Sequence, residues 1–403
     1  MTKHLSQNLK LFSIPAWRNL VVSCLLSNIS IGITYILMSW IVLKVDNQVS
    51  SVAILMICLW TPNVLLSFFA GTIIDSWNKK HLLLLSAVLR CIALIILSGL
   101  AFINLSTTEI YSVAILFGIS FSIYSPTTIA MIRDIIPDDK LIYANTTLNS
   151  VYEVGLLLGT GLSGALLGLL TIPGALVFTS VIAIAATVFT WLIPHQHSAG
   201  KLSESMNYMW QDLISCIKYL AGSKFLICLY IAQLFIMAGF MTAPILLAPF
   251  AKNILHASAA EFGYMEAMLS LGVVIASLVN PYLIEKFNNK TVLIMEILIL
   301  AISFAFFSYN KSITLALAYY LFAGIGFSVW AILLTVAQQH TKASFQGRIM
   351  AIFNSLSGIV ILAFYFIIML TSSYVSIATM YWLEVGFAIA TLSMVLLNLR
   401  KIK

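Results

Sequence analysis

Gly71-Thr-Ile-Ile-Asp75-Ser-Trp77-Asn78-Lys79-Lys80-His-Leu-Leu-Leu84 decides how this chain is read. It lies between two long apolar runs and is the one dense charge cluster of the first hundred residues. It returns in paraphrase 210 residues later as Pro281-Tyr-Leu-Ile-Glu285-Lys-Phe287-Asn288-Asn-Lys290-Thr-Val-Leu-Ile294. Acid falls on acid, aromatic on aromatic, asparagine on asparagine and lysine on lysine. Each copy then opens a new apolar run. A hydrophilic hinge repeated between apolar runs implies a chain made of two related halves.

The apolar runs say where those halves reside. Of 403 residues, 61% are hydrophobic and 9% charged, with a mean hydropathy of +1.03. Soluble domains sit nearer half apolar and a quarter charged, so this chain is dissolved in lipid. At about 20 residues per crossing there is room for roughly twelve helices. A β-barrel would show alternating strands of ~10 residues instead of continuous apolar runs. The net charge of +7 comes from basic residues scattered singly over loop ends, which orients helices in a membrane and does not build a nucleic-acid surface.

The five cysteines make no CxxC or Cys/His cluster, so no disulfide framework, metal centre or cofactor is expected. The first apolar run is too long for a signal peptide and reads as an uncleaved first span.

Apolar windows place spans at about 19–43, 50–74, 81–104, 110–132, 141–169 and 173–194. They resume at about 224–250, 260–284, 291–309, 312–338, 348–371 and 375–398. The expected organisation is a six-helix bundle over 1–194, an amphipathic linker over 195–222 and a second bundle over 223–403. In the linker, Leu202, Met206, Met209, Leu213, Ile217 and Leu220 recur at helical spacing, which suits a tether lying on the inner leaflet. With both termini in the cytoplasm, only Lys44, Lys252 and Lys311 of the 21 basic residues fall in outer loops. The opposite orientation would invert that ratio.

Six plus six spans, a middle linker and the repeated hinge resemble the major facilitator superfamily. The first hinge is similar to its cytoplasmic signature through Gly71, Asp75, Lys79 and Lys80. Leu-Leu-Ser-Ala-Val-Leu-Arg90, Tyr124-Ser-Pro126, Ile136-Pro137 with the following Ala144-Asn145, and Phe345-Gln-Gly347-Arg348 resemble the branch of macrolide-efflux and enterobactin-export proteins. The implied fold is all-α and membrane-integral, with twelve transmembrane helices in two six-helix bundles related by pseudo-two-fold symmetry. The resemblance implies that Asp75 latches the cytoplasmic side against the start of span 11 near Gly347 and Arg348. The carboxylate would accept bonds from free N–H groups at that helix N-terminus. At the second hinge, Pro281 replaces the glycine and Glu285 the aspartate, so its latch is expected to be weaker or differently shaped.

Gly155, Gly159, Gly161 and Gly164 in span 5 allow helices to approach closely. They resemble an exporter-type glycine motif, although Thr160 stands at its proline and Ser163 replaces a glycine. Four acids lie within apolar runs and must pair, protonate or face water. Glu153 is the candidate coupling or substrate-contacting acid; Glu266 and Glu384 are expected in an outward cavity. Glu296 reads as a structural partner of Lys286 or Lys290. Each has the alternative of a satisfied structural acid. Arg90 is expected to snorkel to the inner face or pair with an acid. Superfamily cavities are lined by spans 1, 4, 7 and 10, which implies Asn28, Tyr35, Ser120, Tyr124, Gln233, Met237 and Trp330 as substrate contacts. Hydrogen bonding between helices is the alternative for each polar one.

These residues lead to a secondary transporter of the bacterial-type cytoplasmic membrane, monomeric and working by alternating access without enzymatic chemistry. A small amphiphile, drug or siderophore, is the expected cargo, exported from the cytoplasm, with protons as a candidate coupling ion. Import of a siderophore or metabolite is the alternative direction, and a non-transporting receptor or scaffold the alternative class.

Overall fold

A computed structural model describes residues 11–103, 105–137, 140–194, 215–216 and 218–398; within these, side chains at 67–73, 75–76, 142, 146, 149, 343–344, 346–348 and 351 are left out. The helices are α1 (Pro15–Val45), α2 (Val49–Ser76), α3 (Lys79–Ile103), α4 (Thr107–Ile135), α5 (Leu141–Leu169) and α6 (Ile172–Trp191). They continue as α7 (Lys224–Asn253), α8 (Ala259–Phe307), α9 (Ile313–Phe327), α10 (Val329–His340), α11 (Ala343–Thr371) and α12 (Ile377–Leu397). No strand occurs among the described residues. Helices are the form that satisfies every backbone group internally where no water is available.

Local chemistry sets many of the helix ends. Pro15 opens α1, where its missing N–H costs nothing. Ser106 with Glu109 and Ser258 with Glu261 form reciprocal capping boxes at α4 and α8. Thr171, Ser223 and Ser376 cap α6, α7 and α12.

The asparagine cap of the hinge occurs twice. Asn78 precedes α3 and its Oδ1 accepts the N–H groups of Lys80 (2.9 Å) and His81 (3.3 Å). Asn288 accepts the N–H of Thr291 (3.1 Å), the residue equivalent to His81. At Asn288 the backbone leaves the helical region (φ 72°, ψ 163°), which breaks α8. The 49 residues of α8 would run about 74 Å as one rod, more than twice a hydrocarbon core. With that break they make two crossings, where the sequence suggests two spans parted by a loop. The expected span 10 is likewise divided, at Ser328, into α9 and α10, which together cross once. Twelve crossings result among the described residues.

The chain divides into two compact units, residues 1–47 with 54–202 and residues 48–53 with 203–403. In the first, α1 packs on α5 and α6, and α3 packs on α4 and α6. In the second, α8 packs on α9 and α12, and α7 packs on α10, α11 and α12. Lipid tails are as apolar as leucine, so close backbone approach and polar contacts hold such helices together. Gly159 lies against the backbone of Ile29, and Gly155 leaves room for Asn28. Gly118 abuts the Leu59 carbonyl, and Gly324 abuts the carbonyl of Leu269, 210 residues beyond Leu59. Hydroxyl bridges add to this, with Ser23 to Thr190 at 2.6 Å and Ser98 to Ser180 at 3.1 Å.

Most of the expected linker helix lies outside the described residues. Its last turn does not: the Tyr219 ring stacks on Phe345 at 4.5 Å and 7°. The Tyr219 hydroxyl accepts the Lys342 N–H at 3.1 Å.

Candidate functional site

Polar side chains inside each unit are the starting point, because each must be satisfied or must serve a ligand. In the first unit, α3 carries Arg90 inward to 3% exposure. Its guanidinium lies 4.6 Å from the ring centre of Tyr124 on α4. Nη1 reaches the Ser27 carbonyl of α1 at 3.5 Å, and Nη2 has no hydrogen-bond partner. Ser27, Ala87, Arg90, Ala183 and Ala186 line a narrow cleft there. Arg90 therefore neither snorkels nor pairs with an acid. The face of Tyr124 supplies the electron-rich surface that partly replaces water.

Three of the expected cavity residues turn into this same interior. Asn28 donates to the Cys24 carbonyl (2.8 Å) and Ser120 to the Ser86 carbonyl (2.7 Å), each 1% exposed. Tyr124 lies beneath Arg90. Gln233 of α7 is fully buried in the second unit with neither amide atom partnered. Tyr35, Met237 and Trp330 remain half-buried, with the Trp330 ring 5.7 Å from Phe353.

The four intramembrane acids separate into distinct environments. Glu153 is exposed on α5, two residues before Gly155. Glu296 is 3% exposed, and its Oε1 accepts from Ser328 at 2.6 Å; Asn280 donates to the same Ser328 at 3.2 Å. The lysines expected for Glu296 do not reach it: Lys286 instead lies 5.1 Å from the Phe287 ring centre. Glu266 and Glu384, at 5% and 1% exposure, are sealed inside the second unit and do not line an open cavity. Thr242 donates to Glu384 Oε1 at 2.6 Å. Thr242 carries no charge or helix-face signal that distinguishes it in the sequence.

At the first hinge, Lys79 pairs with Asp134 at the end of α4, 2.6 Å apart and both largely shielded. Sequence reasoning missed Asp134 because it sits 55 residues away. Lys80 is half-buried and Glu285 exposed. The side chains of Gly71, Asp75 and Arg348 lie outside the described residues, so the expected latch does too. In α5, Gly161 is half-buried and Gly164 buried.

The sequence matches the family described as Major Facilitator Superfamily over residues 20–362 and again over 229–402. The chain belongs to the major facilitator superfamily. Membership makes it a multi-pass membrane transporter and not an enzyme. Among relatives, it is 26% identical over 208 residues to "Uncharacterized MFS-type transporter YfmI" of Bacillus subtilis (strain 168), an alignment spanning 50% of each chain. Solved structures superpose over nearly its whole length. The nucleoside transporter NupG matches with a TM-score of 0.71 at 13% identity, covering 96% of this chain and 98% of that one. A bacterial homologue of the iron transporter ferroportin, inward-facing, gives 0.73 at 14% identity over 94% and 98%. The POT family transporter PepTSo gives 0.72 at 14% over 96% and 98%. At such identities the likeness establishes the fold.

Proposed function

We propose that this chain is a secondary active transporter that exports an amphiphilic small molecule, a drug or a siderophore, from the cytoplasm by alternating access. The observation that carries the reading is the half-buried pair Met237 and Trp330 of the second unit, borne on α7 and α10. Aromatic and thioether surfaces of this kind suit bulky, variable ligands better than a sugar or a small ion. The resemblance to macrolide-efflux and enterobactin-export proteins supports the outward direction. The skew of basic residues supports cytoplasmic termini.

Glu153, exposed beside the glycine-packed face of α5, is the acid open to a substrate. The Lys79–Asp134 pair holds the first hinge in shape.

Everted vesicles test the direction. Radiolabelled macrolide and catecholate siderophore are expected to accumulate in everted vesicles when a proton gradient is imposed, and Glu153→Gln to reduce that flux several-fold. Accumulation only in right-side-out vesicles would reverse the direction. A Glu153→Gln variant with unchanged rate and pH profile would remove Glu153 from the scheme.

A further inference from the structure

In the first unit, α3 carries a permanent positive charge into the interior, and nothing there answers it. Arg90 stands eleven residues along α3 from Lys79, about 16 Å at the helical rise. It is 3% exposed, and arginine does not shed its charge by losing a proton in proteins. The Tyr124 ring centre is 4.6 Å from Cζ, and Nη1 donates to the Ser27 carbonyl at 3.5 Å. Nη2 is buried without a hydrogen-bond partner.

Among the described residues no acid forms an ion pair with Arg90. The ionisable groups that act on it are Tyr124, Cys91, Cys24 and Tyr152, all ordinarily uncharged at neutral pH. Glu153 is not one of them; it is exposed on α5. Beside the guanidinium runs the narrow cleft lined by Ser27 of α1, Ala87 of α3, and Ala183 and Ala186 of α6. The alanines leave its walls short and without polar groups of their own.

A ring face and one long carbonyl contact are poor replacements for the water that a guanidinium gives up on burial. An ionisable group held this way inside a membrane bundle marks a ligand or ion position. We propose that Arg90 and this cleft hold a small monovalent anion, a halide or the carboxylate end of a small acid, inside the N-terminal bundle. No second cation acts on Arg90, which matches a single negative charge. The narrowness of the cleft excludes a bulky oxyanion. The free Nη2 donates to the anion in a charge-assisted bond, while the Tyr124 ring keeps the guanidinium in place. The site belongs to the first unit alone and depends neither on the cargo nor on the direction of transport.

The test is chlorine NMR of the full chain in detergent, with chloride replacing bulky gluconate at constant ionic strength. Excess linewidth that saturates is the expected result. The unfolding temperature should rise over the same chloride range, because a ligand held only by the folded state stabilises it. Arg90→Met keeps an unbranched side chain without the charge and is expected to abolish both responses. Ala183→Leu fills the cleft, leaves Arg90 in place, and should weaken both several-fold. Formate is the second probe. If it displaces chloride, the cleft takes carboxylates as well; if it has no effect, the cleft is confined to halides. A saturable rise in unfolding temperature with formate alone assigns the cleft to carboxylates. Should Arg90→Met fail to fold, the parent titration and Ala183→Leu still decide. Responses to both anions that are absent or never saturate overturn the proposal, as does a saturable response that both variants leave intact.

Discussion

Asn78 and Asn288 do the same work with different backbones. Both cap the helix that follows them, but only Asn288 holds a conformation that glycine alone adopts without strain. Losing an asparagine cap costs about 1 kcal/mol, and replacing it by glycine only a few tenths. Relief of strain adds to the second case at position 288. Thermal unfolding in detergent is therefore expected to rank Asn288→Gly at or above the parent and Asn288→Ala below it. At Asn78, glycine should bring no gain. Equal losses for both glycine variants would show that the backbone at 288 carries no strain. The Lys79–Asp134 contact is predicted to matter less, since partly exposed pairs contribute about 0–1 kcal/mol and fade with salt. Asp134→Asn should shift unfolding little, and less still in high salt. The equivalence of the two asparagines was legible in the sequence because a local motif was copied whole. Asp134, Thr242 and the Tyr320–Tyr381 contact were not, because their partners come together only when distant helices pack.

Between elements, the clearest feature is the paired approach of Gly118 to Leu59 and Gly324 to Leu269. In lipid, this closeness is what binds one helix to the next. Adding a methyl group there forces backbones apart, an overpacking cost of about 1–3 kcal/mol. Gly99, with nothing within 4 Å of an added Cβ, is the internal control. There, Gly→Ala should be neutral or stabilising by about 0.5–1 kcal/mol through helix propensity. Gly118→Ala and Gly324→Ala are expected to lower the unfolding temperature while Gly99→Ala does not. Equal behaviour of all three would mean that helix propensity, not contact, governs these positions. Helix number and approximate limits were readable because apolar runs of bilayer length are a strong signal. What hydropathy could not give was the form of each join. A one-residue break at Asn288 and a short stop at Ser328 leave the apolar pattern almost unchanged. The inward turn of Asn28, Ser120 and Tyr124 was equally hidden, since helical spacing fixes a shared face but not which neighbour that face meets.

For the molecule as a whole, twelve crossings require both hinges to lie on one side of the membrane. Cysteine-accessibility labelling at positions 79 and 286 is expected to report the same compartment, and at position 46 the opposite one. Labels on different sides at 79 and 286 would mean an odd number of crossings between them, and the paired-bundle architecture would fail. The same architecture explains why composition excluded so much: a chain with this little charge has few residues with which to build anything but helices in lipid. It left the cargo open, because a half-buried thioether such as Met237 offers apolar surface without a strong directional bond.

The stacking of Tyr219 on Phe345 bears on how the protein can be divided. A split placed before Ser215 leaves the C-terminal piece with its own first turn already anchored, so two separately expressed halves have a natural seam there. A split after Gly222 removes Tyr219 from that piece and bares the face of Phe345. Co-expression of fragments cut at the two places should distinguish the seam from the wound.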